Sequence, residues 1–160
     1  MTTESAALTP CDPLFDPLAG AAVLTRARLG QGPRPFDLPA ALQPQNAAQA
    51  YAVQDAVVQA RGVVAGWKVG ASGPDAPPSR GALGNVVIGV EAELVYELGV
   101  DLPPRAQPYS RAEVLAAIGS ARAAIEVCDT RYAAWGVQSA WSRLADQGSH
   151  GALGVGSGLT

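Results

Sequence analysis

Glycine and proline set the upper limit on every element this sequence can form. Eighteen glycines and thirteen prolines are spread through 160 residues. A proline inside a helix removes a hydrogen bond, and a glycine inside a helix or strand weakens it. Elements are therefore short and loop-bounded, and a long coiled coil is excluded. The apolar share, 48% against 16% charged, still supports a packed core and excludes wholesale disorder. No stretch approaches the roughly 18 uncharged apolar residues a membrane span needs. The net charge of −3, with no basic block, removes the electrostatic footprint of a nucleic-acid binder. The first residues, Met1-Thr2-Thr3-Glu4-Ser5, show no basic region leading into an apolar one, so no signal peptide is expected. Cys11 and Cys128 give neither a disulfide framework nor a metal-site spacing. A reduced, cytoplasmic protein is expected.

The first ten residues read as a tail. Asp16-Pro17 supplies an N-cap and a first-turn proline, followed by apolar positions at helical spacing as far as Gly30. Four prolines between 31 and 45 mark an extended connector. Asn46 caps a second helix that stops at Gly62. Residues 63–70 then read as a strand, 71–84 as a loop, and 86–98 as the clearest strand of the sequence. Ser110 with Glu113 forms a capping box opening another helix, with Val114, Leu115 and Ile118 on it. A strand over about 122–128, a helix or helical turn over 130–145 and a strand over 150–156 follow. Helices lead and strands mix with helices afterwards, which makes the class α+β. The division expected is a helical portion over 1–61 and a strand-rich portion over 62–160, forming one structural unit.

Three acidic residues carry the chemical interest. Residues two apart in a strand share a face, so Glu91, Glu93, Val95 and Glu97 lie on one side and Val90, Ala92, Leu94, Tyr96 and Leu98 on the other. One reading is a half-buried strand with a wet acidic face. The other is a pair of carboxylates placed to grip a hard divalent cation, which takes oxygen ligands in number. Glu126 lies inside the apolar run Ala123-Ala124-Ile125-Glu126-Val127-Cys128. It either sits at a wet edge or is a buried carboxylate that needs a partner or a metal. Lys68 is the one lysine beside ten arginines, and either snorkels to the surface or meets charge in a cleft. His150 reads as an ordinary loop histidine, since Ser149 beside it gives no triad geometry. Trp67, Trp135 and Trp141 read as core residues, and Gly154-Val155-Gly156-Ser157-Gly158 lacks the partners of a phosphate loop.

Four segments taken in order carry a resemblance. They are Gly66-Trp67-Lys68-Val69-Gly70, Val90-Glu91-Ala92-Glu93-Leu94, Ala124-Ile125-Glu126-Val127-Cys128-Asp129-Thr130-Arg131, and Leu144-Ala145-Asp146-Gln147-Gly148-Ser149-His150-Gly151. Together they resemble the 2-keto-4-pentenoate hydratase branch of the fumarylacetoacetate hydrolase superfamily, from about Tyr51 to Gly156. The resemblance implies a partial mixed β-roll of the fumarylacetoacetase C-terminal-domain-like type after the helices. It implies Glu91, Glu93 and Glu126 as ligands of Mg²⁺ or Mn²⁺, Lys68 as the active-site lysine beside the substrate, and Ser149 and Asp146 as polar substrate contacts. The activity implied is hydration of 2-hydroxypenta-2,4-dienoate to 4-hydroxy-2-oxopentanoate in aromatic-compound catabolism. The metal would act as a Lewis acid on the 2-oxo oxygen, with Lys68 adding positive charge there.

The sister 2-oxo-3-hexenedioate decarboxylase is the alternative activity, with a C–C hydrolase of the superfamily third. The sequence also departs from the family pattern. The stretch between Gly70 and Val90 is short, with Asp75 standing where an acid is expected and Arg80-Gly81-Ala82-Leu83 as the remnant of a turn. Asp146-Gln147 replaces the usual Asp-Asn, and Thr160 falls before strands that would complete the roll. Open sheet edges are expected of such a chain. The expectation is a fragment, a truncated gene product, or a chain that completes its fold as a homo-oligomer, and the non-catalytic alternative is a partner subunit of a pathway enzyme.

Overall fold

The computed structural model describes residues 15–64, 66–70, 79–81 and 89–157, with backbone alone at 68–70 and 79–81. The expectations placed on the N-terminal tail, Cys11, Asp75, Ala82, Leu83 and Gly158 lie outside the described residues.

Helix α1, Pro17–Arg28, starts where the sequence places it: the Asp16 side chain accepts from the Ala19 N–H at 3.0 Å, and Pro17 takes the first helical position. Helix α2, Ala47–Arg61, is capped by Asn46, whose side chain accepts from Gln49 N–H at 2.9 Å. Between them a tight 3-10 turn, Ala40–Leu42, carries the connector round. Strand β1 is only Lys68–Gly70, and it pairs antiparallel with β2, Ser79–Gly81, which the sequence reads as loop. Three residues are too few for a period-2 pattern to show.

Strand β3, Gly89–Leu98, pairs antiparallel with β4, Ile118–Cys128, and β4 with β5, His150–Val155. Helix α3, Arg111–Ala117, fits between β3 and β4 and shows the expected Ser110–Glu113 capping box. Ile118 leaves the helix and opens β4, opposite Leu98. The helix expected over 130–145 shrinks to α4, Ala140–Ala145, capped by Ser139. Residues 130 and 131 are held elsewhere: the Arg131 N–H donates to Asp146 Oδ2 at 3.0 Å and the Thr130 hydroxyl to the same oxygen at 2.7 Å.

The core lies among the helices. Ala21, Leu24, Ala50, Val53, Ala56 and Val57 of α1 and α2 pack with Leu38, Tyr132 and Ala145, each large apolar side chain contributing about 1.5–3 kcal/mol on burial. Tyr132 and Ala145 come from the strand-rich portion, so the two expected portions share one core. The sheet is different. Its apolar face is open: Val90 is 66% exposed, Leu94 65% and Ile125 55%. The acidic side of β3 is partly wet, with Glu91 and Glu97 exposed and Glu93 half-buried. On the same side Glu126 of β4 is 0% exposed, so the apolar side of β3 is not the buried one. The three tryptophans are also outside the core, with Trp67 and Trp135 more than half exposed; helix faces of Ala, Val and Leu fill the interior instead. Among the described residues no helix is long and apolar enough to cross a membrane.

Candidate metal centre and its supporting turn

The antiparallel register puts Glu91 directly opposite Glu126, so both carboxylates project from one face of the sheet. Sequence alone leaves the two strands unconnected; the register joins them. Cys128, two residues on from Glu126, faces the same way, and the ligand atoms of Glu91, Glu126 and Cys128 all lie within 4.8 Å of one another. Glu93 shares the face one step further along, opposite Ala124, and is half-buried. It stands outside the group of three. Burying a carboxylate such as Glu126 is unfavourable by several kcal/mol without compensation. One partner is visible: His150 Nδ1 lies 2.7 Å from Glu126 Oε1, both side chains fully buried.

His150 is therefore no loop residue. It opens β5 opposite Cys128. Between the pairs Val127–Ala152 and Cys128–His150 the register slips by one residue at Gly151. A Cβ on Gly151 would lie 2.3 Å from the Val127 carbonyl oxygen, so only glycine lets the backbone come this close and turn His150 toward Glu126.

Immediately before β5 the chain makes a left-handed arc. Gln147, Gly148 and Ser149 have φ of 59°, 62° and 63°. The two side-chain-bearing residues there are strained by about 1–2 kcal/mol each. Asp146 sets the arc in place. Its carboxylate is buried and accepts from the Thr130 hydroxyl, the Arg131 N–H and the Arg131 guanidinium. Burial pushes the Asp146 carboxyl upward against the opposing pull of the Arg131 cation. Arg131 also donates to the backbone carbonyls of Asp146 and His150. From α1, Arg28 Nη2 reaches Gln147 Oε1 at 3.1 Å and the His150 carbonyl at 3.3 Å. Burial and the adjacent Arg131 push the Arg28 guanidinium down to about 9. Arg34 completes the frame on Thr130 O at 2.7 Å and Asp129 Oδ1 at 3.2 Å.

The expected substrate contacts thus have different environments. Ser149 is partly exposed at the end of the arc, its hydroxyl accepting from Trp135 Nε1 at 3.3 Å. Asp146 has both oxygens committed and acts through the arc it holds. Lys68 is on β1, and its side chain lies outside the described residues. The roles of His150, Arg131 and Arg28 escape a reading of the sequence because they arise from pairings 15 to 122 residues apart, and Cys128 joins Glu91 only through the register of β3 and β4. One signal existed for His150: it is the lone histidine and heads a strand-like run.

No protein-family model matches the chain, and no curated protein matches it. Solved structures do. The chain is similar to 4-oxalocrotonate decarboxylase from Pseudomonas putida G7 complexed with magnesium and adipate, with a TM-score of 0.69 and 25% identity over 88% of this chain and 62% of that one. The same enzyme complexed with calcium and acetate gives a TM-score of 0.66 at 23% identity, covering 88% and 61%. The chain therefore spans about 62% of the length of that neighbour. The likeness establishes the α+β fold and supports the fumarylacetoacetate hydrolase superfamily; it does not single out the hydratase branch within it.

Proposed function

We propose that this chain carries the metal-binding part of a divalent-metal-dependent lyase acting on an unsaturated 2-oxo acid. The observation that carries the reading is the fully buried Glu126, opposite Glu91 across two strands, beside Glu93 on the same face and held by His150. The donor set suits an oxygen-seeking cation, and the neighbours' magnesium and calcium complexes support one. Glu91, Glu93 and Glu126 would hold it. A divalent ion there supplies Lewis-acid polarisation of a 2-oxo oxygen.

The rest of the work falls to the chain. Lys68 offers positive charge to the developing oxyanion. Ser149, presented by the strained arc, offers a hydroxyl to the substrate. Asp146 and Arg131 fix the arc and so fix Ser149 and His150 together.

The order of the four motifs supports hydration of 2-hydroxypenta-2,4-dienoate. Decarboxylation of 2-oxo-3-hexenedioate is the second reading, favoured by the decarboxylase neighbours. Both substrates absorb in the ultraviolet, so loss of the chromophore with each, alongside detection of released CO₂, separates the two. Turnover of neither substrate in the presence of Mg²⁺ sinks the lyase reading for this chain. Binding is tested apart from turnover by a thermal melt. At a hundredfold excess over the dissociation constant a native-state ligand adds about 2.7 kcal/mol. Mg²⁺ or Mn²⁺ is expected to raise the midpoint of the chain but not of Glu91→Ala/Glu126→Gln. A midpoint that stays put in the wild type refutes the site.

A further inference from the structure

We propose that Trp135 is a positioning residue for the substrate: its indole N–H fixes the Ser149 hydroxyl as a donor to a negatively charged oxygen of the bound acid. The inference rests on the lyase reading above and adds to it the residue that decides which way Ser149 works.

Ser149 has little freedom left. Its N–H donates to the Asp146 carbonyl at 3.1 Å, and its own carbonyl accepts from the Asp129 N–H at 2.8 Å. Its φ of 63° is held between these two bonds. What remains open is rotation of the side chain, and with it the direction of the hydroxyl proton. An indole N–H can only donate. Because Trp135 Nε1 reaches Ser149 Oγ at 3.3 Å, the hydroxyl accepts there and keeps its single proton for another bond. Among the described residues that proton meets no acceptor. The partner it suits is an acceptor from outside the chain, and a carboxylate or developing oxyanion makes the stronger, charge-assisted bond.

The indole is delivered by a loop clamped at both ends. Between β4 and α4, Tyr132 is buried with its hydroxyl donating to the Ser142 carbonyl at 3.0 Å. The Ala133 N–H donates to the Pro35 carbonyl at 2.7 Å. Gln138 Nε2 donates to the Ala134 carbonyl at 2.8 Å and also to the Phe36 carbonyl. The tip between these clamps stands in solvent: Trp135 is 63% exposed, and Gly136 turns the chain there with a φ of 86°. The core does not use Trp135; its polar contact is the bond to Ser149.

The surroundings of the hydroxyl suit a reacting acid. His150, the next residue, reaches Glu126 at 2.7 Å. Strand β2, whose Gly81 pairs with Lys68, lies against the arc on its other flank. The arc therefore meets both the strand that carries Glu126 and the hairpin that carries Lys68.

Two measurements on the full chain test the role. The first needs neither metal nor substrate. With ¹⁵N-labelled tryptophan, Ser149→Ala is expected to move the Trp135 Nε1–H resonance, assigned by its loss in Trp135→Phe, and to leave those of Trp67 and Trp141 in place. An unmoved resonance overturns the contact and the proposal with it. The second is a double-mutant cycle on turnover of 2-hydroxypenta-2,4-dienoate and 2-oxo-3-hexenedioate with Mg²⁺. Trp135→Phe keeps an aromatic ring and removes the donor. It is expected to leave the thermal midpoint and its Mg²⁺ shift unchanged, and to lower kcat/KM by roughly 3–10-fold, the contribution of one ordinary hydrogen bond. In a Ser149→Ala background the same substitution should add no further loss. A loss carried by kcat assigns the hydroxyl to the developing oxyanion, and one carried by KM assigns it to the substrate carboxylate. An equal loss in both backgrounds, no loss in either, or a lowered midpoint overturns the positioning role and leaves the lyase reading standing. A wild type that turns over neither substrate overturns both, even where the indole resonance moves.

Discussion

At the scale of single residues, the molecule separates groups that hold from groups that present. Asp146 and Arg131 hold, both 1–2% exposed in their side chains. Breaking a buried pair by removing one partner strands the other charge, so Asp146→Ala is expected to destabilise by about 3–5 kcal/mol in a denaturant titration. Adding Arg131→Met should recover part of that loss, since no buried cation is left behind. Ser149 presents. Its φ of 63° means that Ser149→Gly relieves strain, and a net gain of about 0.5–1 kcal/mol is expected once the extra freedom of glycine in the unfolded chain is subtracted. The same variant should lose turnover while keeping the metal shift. A variant that is both destabilised and metal-blind would instead make Ser149 a structural residue.

What could be read at this scale was whatever local pattern encodes. Glu91 and Glu93 announce themselves by alternation, and Glu126 by the apolar run around it. Lys68 stands out by being alone among arginines. His150 offers only its being the lone histidine at the head of a strand-like run, after a turn whose left-handed path the sequence does not advertise, and Cys128 looks like any small strand residue. Asp146 could be singled out as polar and suspect, but its burial under Arg131 depends on a fold that brings residues 130 and 146 together.

At the scale of elements, caps were legible and register was not. Asp16, Asn46 and Ser110 each begin a helix as their side chains dictate. The capping box of α3 is reinforced by Arg105, whose guanidinium meets Glu113 at 2.8 and 2.9 Å. These contacts hold the Glu113 carboxyl down at about 2, against an ordinary 4.5. A depressed carboxylate contributes stability above its unfolded value and loses it as pH falls through the folded one. The cap of α3 should thus persist from neutral pH to below pH 4.5 and fail as pH approaches about 2. The carboxyl carbon shift of Glu113, followed by NMR titration, reads this directly, and a midpoint near 4.5 would show that the cap does not form. In β5 the informative residue is Gly151. With a Cβ 2.3 Å from the Val127 carbonyl oxygen, Gly151→Ala must push β5 away from β4, at about 1–3 kcal/mol. His150 moves with it, so the metal-induced midpoint shift should shrink. An unchanged shift would mean that the Glu126–His150 contact is not needed for binding. The short strand β2 was beyond reading because three residues carry no period, while β1 was read within the longer strand expected over 63–70. The helix or helical turn expected over 130–145 is confined to its last residues because hydrogen bonds at Thr130 and Arg131 to Asp146 outbid local propensity.

Across the whole molecule, stability is uneven. The helices and Tyr132 share a closed core, whereas the three-stranded sheet is held by its ladder with one apolar face open. Amide exchange should therefore be slowest in α1 and α2 and should proceed in β3 through openings that leave the helices intact. Substituting the open face should matter little to this fold: Leu94→Gln is expected to stay within about 0.5 kcal/mol of wild type. A larger loss would show that the face is covered in solution. The class could be read from helices preceding strands, but the location of the core could not, because apolar residues are as frequent in β3 as in α2 and only the packing decides which are enclosed.

Arg28 gives the chain an order of assembly. Its two bonds to Gln147 and His150 bridge 119 and 122 residues of sequence, tying the first described helix to the strand that carries the histidine behind Glu126. On a ribosome those partners emerge many seconds apart at about 5–20 residues per second. Helices α1 and α2 can pack while β5 is still being made, and Tyr132, Ala145 and the closing strand then dock onto a surface that already displays Arg28. A folding intermediate with helices formed and no metal response is the species this connectivity would populate, and under the proposed metal site the ion would bind last.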